Sequence, residues 1–182
     1  MTVESKAGRI KLILFDIDGV LTDGVVVVHA DGTESKNFAI RDGIAMVWAQ
    51  RAGIRVGFLS ARHSPTTNHR AAQLGITLVY QGVSSKLASY EQILADLRLT
   101  DEDVAYMGDD VVDLAVLQRV GLSSAPADAV QEVRSRVDLV TGSAGGRGAG
   151  RELVELILRA QQAWDRVVDG YLNEPRAMPT AT

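Results

Sequence analysis

The 182-residue sequence contains no cysteine. That excludes a disulfide framework, a thiolate metal site and a cysteine nucleophile. It has no basic surplus either: 19 Lys and Arg face 23 Asp and Glu, for a formal charge of -4. A general nucleic-acid binder would carry the opposite balance, so no nucleic-acid partner is expected. No apolar stretch approaches the roughly 18 residues that span a bilayer, and the opening MTVESKAGRI lacks the apolar run of a signal peptide. No membrane partner is expected. A soluble, cytoplasmic globular domain remains. Hydrophobic residues make up 46% of the chain, and a single domain of this length should bury roughly 70% of its unfolded surface.

Short apolar runs alternate with amphipathic ones. Arg9 to Phe15 reads as a buried parallel strand, followed at once by acidic residues and Gly19. Val25 to His29 and Thr33 to Ile40 flank Asp31-Gly32, a hairpin signal. Further strands are expected at Ile54 to Leu59, Leu78 to Tyr80 and Val104 to Met107, with short ones near Leu122 and Leu139. Helices are expected from Ile40, from Pro65 behind a Ser64 cap, over Leu87 to Leu97, from about Asp110 to Gln118, and along a Leu153 to Trp164 stripe. Residues 1–8 read as an N-terminal extension, 9–164 as one domain with its hairpin at about 25–40, and 165–182 as a flexible tail. Strand-helix alternation predicts a mainly parallel α/β sheet with helices on both faces. Ligands of such sheets bind beyond the carboxyl ends of the strands. The chemistry should therefore follow Phe15, Leu59, Tyr80 and Met107.

Unusual residues stand at those places. After the first strand comes Asp16-Ile17-Asp18-Gly19, in which the two acids project to one side of an extended chain. Two carboxylates 4 Å apart repel by roughly 4 kcal/mol at an effective dielectric of 20, so both stay ionised most readily around a cation. The second acidic cluster, Gly108-Asp109-Asp110-Val111-Val112-Asp113, follows Met107. Asp110 also fits a helix N-cap, but three carboxylates in five residues exceed what capping requires. Oxygen ligands without histidine or cysteine suit Mg²⁺ rather than zinc. Ser60 at the end of Phe58-Leu59-Ser60-Ala61-Arg62, and Lys86 in Ser84-Ser85-Lys86, are the candidate phosphate binders. Lysine is scarce here, four against fifteen arginines, which adds weight to Lys86.

In this order and spacing, DIDGVLTDG, LSAR, SSK and GDDVVD resemble the motifs of the haloacid-dehalogenase-like phosphatase superfamily. Phe38 to Gly43, Leu74 to Ile76, Gln81-Gly82 and Gly145 to Ala149 extend the likeness to the capless branch typified by the phosphatases of 3-deoxy-D-manno-octulosonate 8-phosphate (KDO 8-phosphate), over residues 9 to 162. The resemblance implies a Rossmann-like three-layer sandwich with no large cap domain and a β-hairpin flap after the first strand. It implies Mg²⁺-dependent hydrolysis of a sugar-acid phosphate through an aspartyl-phosphate, and a homotetramer in which a neighbouring subunit completes each active site. Carried over by motif, Asp16 is the nucleophile and Asp18 the general acid and base; Asp16, Asp18 (through its carbonyl), Asp109 and Asp110 (through water) hold the metal. Ser60 and Lys86 hold phosphoryl oxygens, Asp113 supports, and Arg41, Asp42, Gly43, Arg62, Arg70 and Arg147 match the family's substrate contacts. Arg62 favours KDO 8-phosphate over nine-carbon ketodeoxy sugar-acid 9-phosphates, because the phosphatases of the latter tend to carry an acid there.

Two other classes compete. A silent oligomerisation module is disfavoured by the retained Asp16, Asp18, Ser60, Lys86 and Asp109. A phospho-acceptor signalling domain would place its paired acids ahead of a separate acceptor aspartate, whereas here the second pair follows the lysine. His29, His63 and His69 have no metal spacing and read as surface residues, and Trp48 and Trp164 read as core or interface.

Overall fold

The computed structural model describes residues 1–173. The chain runs α1 (Val3–Ala7), β1 (Leu12–Phe15), β2 (Val27–Val28), β3 (Glu34–Ser35), α2 (Ile40–Arg51), β4 (Arg55–Ser60), α3 (Pro65–Gln73), β5 (Leu78–Gln81), α4 (Lys86–Leu97), β6 (Val104–Met107), α5 (Leu114–Leu117), β7 (Leu122–Ala125), α6 (Gln131–Arg134), β8 (Leu139–Val140), α7 (Ala149–Ala160) and α8 (Trp164–Leu172). Six strands form one sheet in the order β5-β4-β1-β6-β7-β8, every pair parallel. β2 and β3 pair antiparallel as a separate hairpin.

Period-two alternation distributes each central strand between two cores. Ile13 and Phe15 of β1, with Ala105 and Met107 of β6, join Met46 of α2 and Leu153 and Ile157 of α7 on one face. Leu12, Leu14, Val104 and Tyr106 join Tyr90 and Ile93 of α4 and Leu117 of α5 on the other. Both faces are covered, which is why the strands are continuously apolar. The α/β sandwich is the expected one. After β1 the chain winds to one side through β4 and β5, then returns to start β6 on the other side of β1. The carboxyl ends of β1 and β6 therefore flank the switch point, where open parallel sheets hold their ligands.

Several boundaries differ from expectation. The hairpin strands have only two residues each, because few apolar neighbours reward a longer ladder at its exposed valines. The expected helix over Asp110 to Gln118 is a 3-10 turn, Val111–Asp113, followed by the single turn α5. The Leu153 to Trp164 stripe is two helices: Gln162 adopts φ 55, which breaks the ladder before Trp164. α8 then carries helix through Leu172, where a flexible tail from residue 165 was expected. Its Tyr171 accepts a hydrogen bond from Trp48 Nε1 at 3.0 Å, and Trp164 packs edge-on against Trp48. The rest of that tail, 174–182, lies outside the described residues. Among the described residues no helix is long and apolar enough to cross a membrane.

Candidate active site

Asp16 leaves β1 still tied to the sheet, its N–H donating to Met107 O at 3.0 Å. Asp109 stands two residues beyond β6, so the two strands deliver their acids side by side. Carboxylate oxygens of Asp16, Asp109 and Asp113 lie within 4.8 Å of one another. Gly19 makes room for this convergence. It adopts φ +90, and a Cβ there would sit 2.0 Å from Asp109 Oδ2. The glycine-rich loop closes over the same turn: Gly146 N donates to Val20 O at 2.9 Å, and a Cβ on Gly145 would lie 1.9 Å from Gly19 O.

Lys86, the first residue of α4, is the cation of this cluster. Its Nζ lies 2.9 Å from Asp16 Oδ1 and 2.6 Å from Asp113 Oδ1, with all three side chains almost fully buried. Ser85 caps the helix by accepting from Ala88 N, which fixes where Lys86 begins. Asp113 is the hub beneath. It accepts from Lys86, from the Tyr106 hydroxyl, and from the backbone N–H groups of Asp109 and Asp110. A buried carboxylate accepting from that many donors fixes the loop that carries Asp109.

The electrostatics show a site with excess negative charge. Burial and the Asp113 carboxylate push Asp16 up to about 7, against the opposing pull of Lys86. Burial, Asp16 and Asp113 push Asp109 up to about 8. Burial opposes the charge on Lys86, but Asp16 and Asp113 outweigh it and raise its pKa. A divalent cation fits this donor set. Asp16 and Asp109 offer hard oxygen ligands, and two carboxylates that resist ionisation for want of positive charge ionise readily beside one. Asp113 fits less well as a ligand, its oxygens being occupied by Lys86, Tyr106 and the backbone.

The other expected residues divide into two groups. Asp18 faces the cleft between Lys36 and Arg62, whose nitrogens lie 2.6 Å and 3.5 Å away. Ser60 ends β4, buried, its hydroxyl accepting from Arg62 N at 3.3 Å. Arg41 and Arg147 come together, lining a cleft of about 490 Å³ with Asp23, Asn37, Phe38 and Ile40. Three expected substrate contacts are committed elsewhere, and Asp110 serves as a cap. Asp42 is buried and accepts from Arg151 N at 2.8 Å, holding the start of α7 rather than opening to a substrate. Gly43 is buried against Arg70, whose guanidinium would meet a Cβ at 2.2 Å. Arg70 itself lies over the Phe38 ring and donates to Ala39 O. Asp110 accepts from Val111 N at 2.7 Å as a cap and is exposed, outside the acidic cluster.

Sequence reasoning missed Lys36, Glu34 and Tyr106. Glu34, on the hairpin, accepts from Arg62 Nη2 at 3.0 Å and from the Ser64 hydroxyl, joining the flap to the loop after β4. Ser64 therefore does not cap α3 with its side chain.

The haloacid dehalogenase-like hydrolase family matches residues 75–153. The chain is 44% identical over 163 residues to the 3-deoxy-D-manno-octulosonate 8-phosphate phosphatase KdsC of Escherichia coli (strain B / BL21-DE3), covering 90% of this chain and 87% of that protein. Among solved structures it is similar to the 3-deoxy-D-manno-octulosonate 8-phosphate phosphatase of Moraxella catarrhalis in complex with magnesium ion, phosphate ion and KDO. That match has a TM-score of 0.91 at 33% identity, over 93% of this chain and 97% of the other. It is also similar to the cobalt-bound deoxy-D-mannose-octulosonate 8-phosphate phosphatase of Haemophilus influenzae, with a TM-score of 0.88 at 39% identity, over 92% and 99% of the two chains.

Proposed function

Since the chain belongs to the haloacid dehalogenase-like hydrolases, in the branch of the 3-deoxy-D-manno-octulosonate 8-phosphate phosphatases, we propose that it hydrolyses KDO 8-phosphate to KDO and phosphate with Mg²⁺ as cofactor. The observation that carries this reading is the meeting of Asp16 and Asp109 at the switch point, with Lys86 buried between Asp16 and Asp113. That arrangement can bind a phosphoryl group and offer it a nucleophile in one place.

In this mechanism an oxygen of Asp16 attacks phosphorus as the ester P–O bond breaks. Asp18 gives its proton to the departing sugar oxygen, leaving an aspartyl-phosphate on Asp16. Asp18, now a carboxylate, takes a proton from the water that attacks phosphorus, and the bond to Asp16 breaks. Lys86, the Ser60 hydroxyl and the N-terminus of α4 hold phosphoryl oxygens, so most of the catalytic power is alignment and charge stabilisation. Mg²⁺ would be held by the carboxylates of Asp16 and Asp109 and the carbonyl of Asp18, with Asp110 acting through water, and would supply positive charge against the phosphoryl oxygens. Asp113 positions Lys86 and the Asp109 loop.

Arg62, half exposed at the cleft, is the residue assigned to the sugar-acid carboxylate, for which a guanidinium fork is suited. Arg41 and Arg147 belong to the same reading as contacts to the sugar, supported by the cleft they share. The reading includes a cytoplasmic homotetramer assembled through the hairpin. Val25, Val27, Val28 and Ile40 are 58%, 50%, 72% and 75% exposed, apolar side chains suited to protein contact. Light scattering giving a monomer at micromolar concentration would remove the assembly.

The deciding experiment measures phosphate release from a panel of sugar-acid phosphates with Mg²⁺ and with EDTA. KDO 8-phosphate is expected to be turned over best, only with the metal, and Asp16→Asn to abolish release while the fold is retained. Turnover by Asp16→Asn at the wild-type rate would remove the nucleophile.

A further inference from the structure

The hairpin places one lysine where water cannot reach it. The Lys36 side chain is 1% exposed, although a lysine on a polar hairpin normally keeps its ammonium in solvent. Burying that ammonium is unfavourable unless a partner compensates it. Its Nζ lies 2.6 Å from Asp18 Oδ1 and 4.0 Å from Glu34 Oε1. Glu34 is already engaged by Arg62 and the Ser64 hydroxyl. Asp18 Oδ1 is buried and accepts no hydrogen bond from the described residues, so its compensation is the adjacent ammonium charge. Among the described residues the other oxygen, Oδ2, has only Arg62 Nη1 at 3.5 Å, from a side chain 48% exposed. One face of the carboxylate is thus clamped and dry, and the other is left toward the cleft.

We propose that Lys36 is a positioning residue for Asp18, holding Oδ1 so that Oδ2 is the oxygen that exchanges protons with the substrate. This rests on the reading of Asp18 as general acid and base. When the ester bond breaks, the P–O electron pair stays on the leaving oxygen, which takes the proton from Oδ2. The carboxylate charge that grows on Asp18 at that moment is met by an ammonium already in place. The hairpin flap is then part of the proton-transfer apparatus, and its closure over β4 and the β1 turn sets the aim of Asp18.

The test is a series of substituted phenyl phosphates that differ in leaving-group acidity and little in shape. A good leaving group departs without a proton, and a poor one needs it. Misplacing the acid therefore steepens the dependence of kcat/KM on the leaving group. Lys36→Met is expected to lower kcat/KM by about 10- to 100-fold for the poorest leaving groups and by less than about 3-fold for p-nitrophenyl phosphate. Lys36→Arg, which keeps the charge, should retain the wild-type slope, and Lys36→Gln should behave as Lys36→Met if the latter fails to fold. Asp18→Asn serves as reference and should steepen the slope at least as much. A steep slope in Asp18→Asn with a parallel, unsteepened loss in Lys36→Met and Lys36→Gln overturns the role of Lys36 alone. An unchanged slope in Asp18→Asn removes the acid role and the proposal with it.

Discussion

Replacing Lys86 with methionine preserves length and removes the one ammonium inside the Asp16, Asp109 and Asp113 cluster. At 2.6 Å and 2.9 Å from its two carboxylates, each attraction is worth about 6 kcal/mol gross at an effective dielectric of 20. The net loss is smaller, because a carboxylate left alone can take up a proton at about 1.4 kcal/mol per pH unit above its pKa. Removing one member of a buried pair typically destabilises by about 3–5 kcal/mol, and that is the expectation at pH 8 without metal. For a chain of this size the melting point should fall by about 10 °C. At pH 6 the loss should be about 2 kcal/mol smaller, since protonated acids need less compensation. The sign follows from the shifts: Asp16 and Asp109 are raised from 3.8 to about 7 and about 8. The folded state therefore binds these protons more tightly than the unfolded chain does. Their contribution to stability is full below about pH 4 and is lost as the pH climbs toward 7 and 8. Urea denaturation in EDTA at the two pH values, followed by the fluorescence of Trp48 and Trp164, measures this. A loss under about 1 kcal/mol at pH 8, or one equal at both pH values, would refute the assignment of Lys86 as the cluster's compensating charge.

Three further outcomes are expected. Mg²⁺ should raise the melting point more at pH 8 than at pH 6, because protons on Asp16 and Asp109 compete with it below about 7 and 8; a shift independent of pH in scanning calorimetry would count against those two ligands. Asp42→Ala should cost about 1–2 kcal/mol, as lost helix caps do, with KM for the sugar phosphate within about 2-fold of wild type; a large rise in KM with unchanged stability would return Asp42 to the substrate site. Arg62→Glu should reduce kcat/KM for KDO 8-phosphate far more than for p-nitrophenyl phosphate, and equal losses in parallel steady-state assays would reject a role in reading the sugar acid.

The sheet and the acidic pair were legible because their signals are local. An apolar run ending in Asp16-Ile17-Asp18-Gly19 and another ending in Gly108-Asp109-Asp110 each identify a strand end, and the topology rule for parallel sheets brings such ends together. Lys86 was legible for the same reason, standing at a strand-to-helix turn. Contacts made at long range carry no such period. Lys36 and Glu34 lie on a polar hairpin, where either reads as a solvated charge, and only the folded flap reveals that they close on Asp18, Arg62 and Ser64. Asp42 reaches Arg151 across 109 positions of sequence. Tyr106 alternates correctly as a core residue of β6, so nothing in the pattern marks its hydroxyl as a partner of Asp113. The break before α8 was hidden because Gln162 takes the left-handed conformation without glycine or proline to announce it.

Two of the chain's four lysines, Lys36 and Lys86, are the buried ones that meet the Asp18 and Asp16 carboxylates. A compact ammonium with three rotatable donors can be shared among several acids where a planar guanidinium would impose its own geometry, which accounts for lysine at these positions in a chain otherwise rich in arginine. The charge arithmetic then explains the raised acids. Asp16, Asp109 and Asp113 against Lys86 leave two negative charges unmatched, the charge of one divalent cation. That shortfall of positive charge is why burial and the neighbouring carboxylates raise the pKa values of Asp16 and Asp109; a divalent cation would draw off both protons and leave Asp16 the anion that its proposed role as nucleophile requires. On that reading, loading the metal and arming the nucleophile are a single electrostatic event, and the proton release accompanying Mg²⁺ binding should approach two per chain where both acids start protonated and fall toward zero above about pH 9.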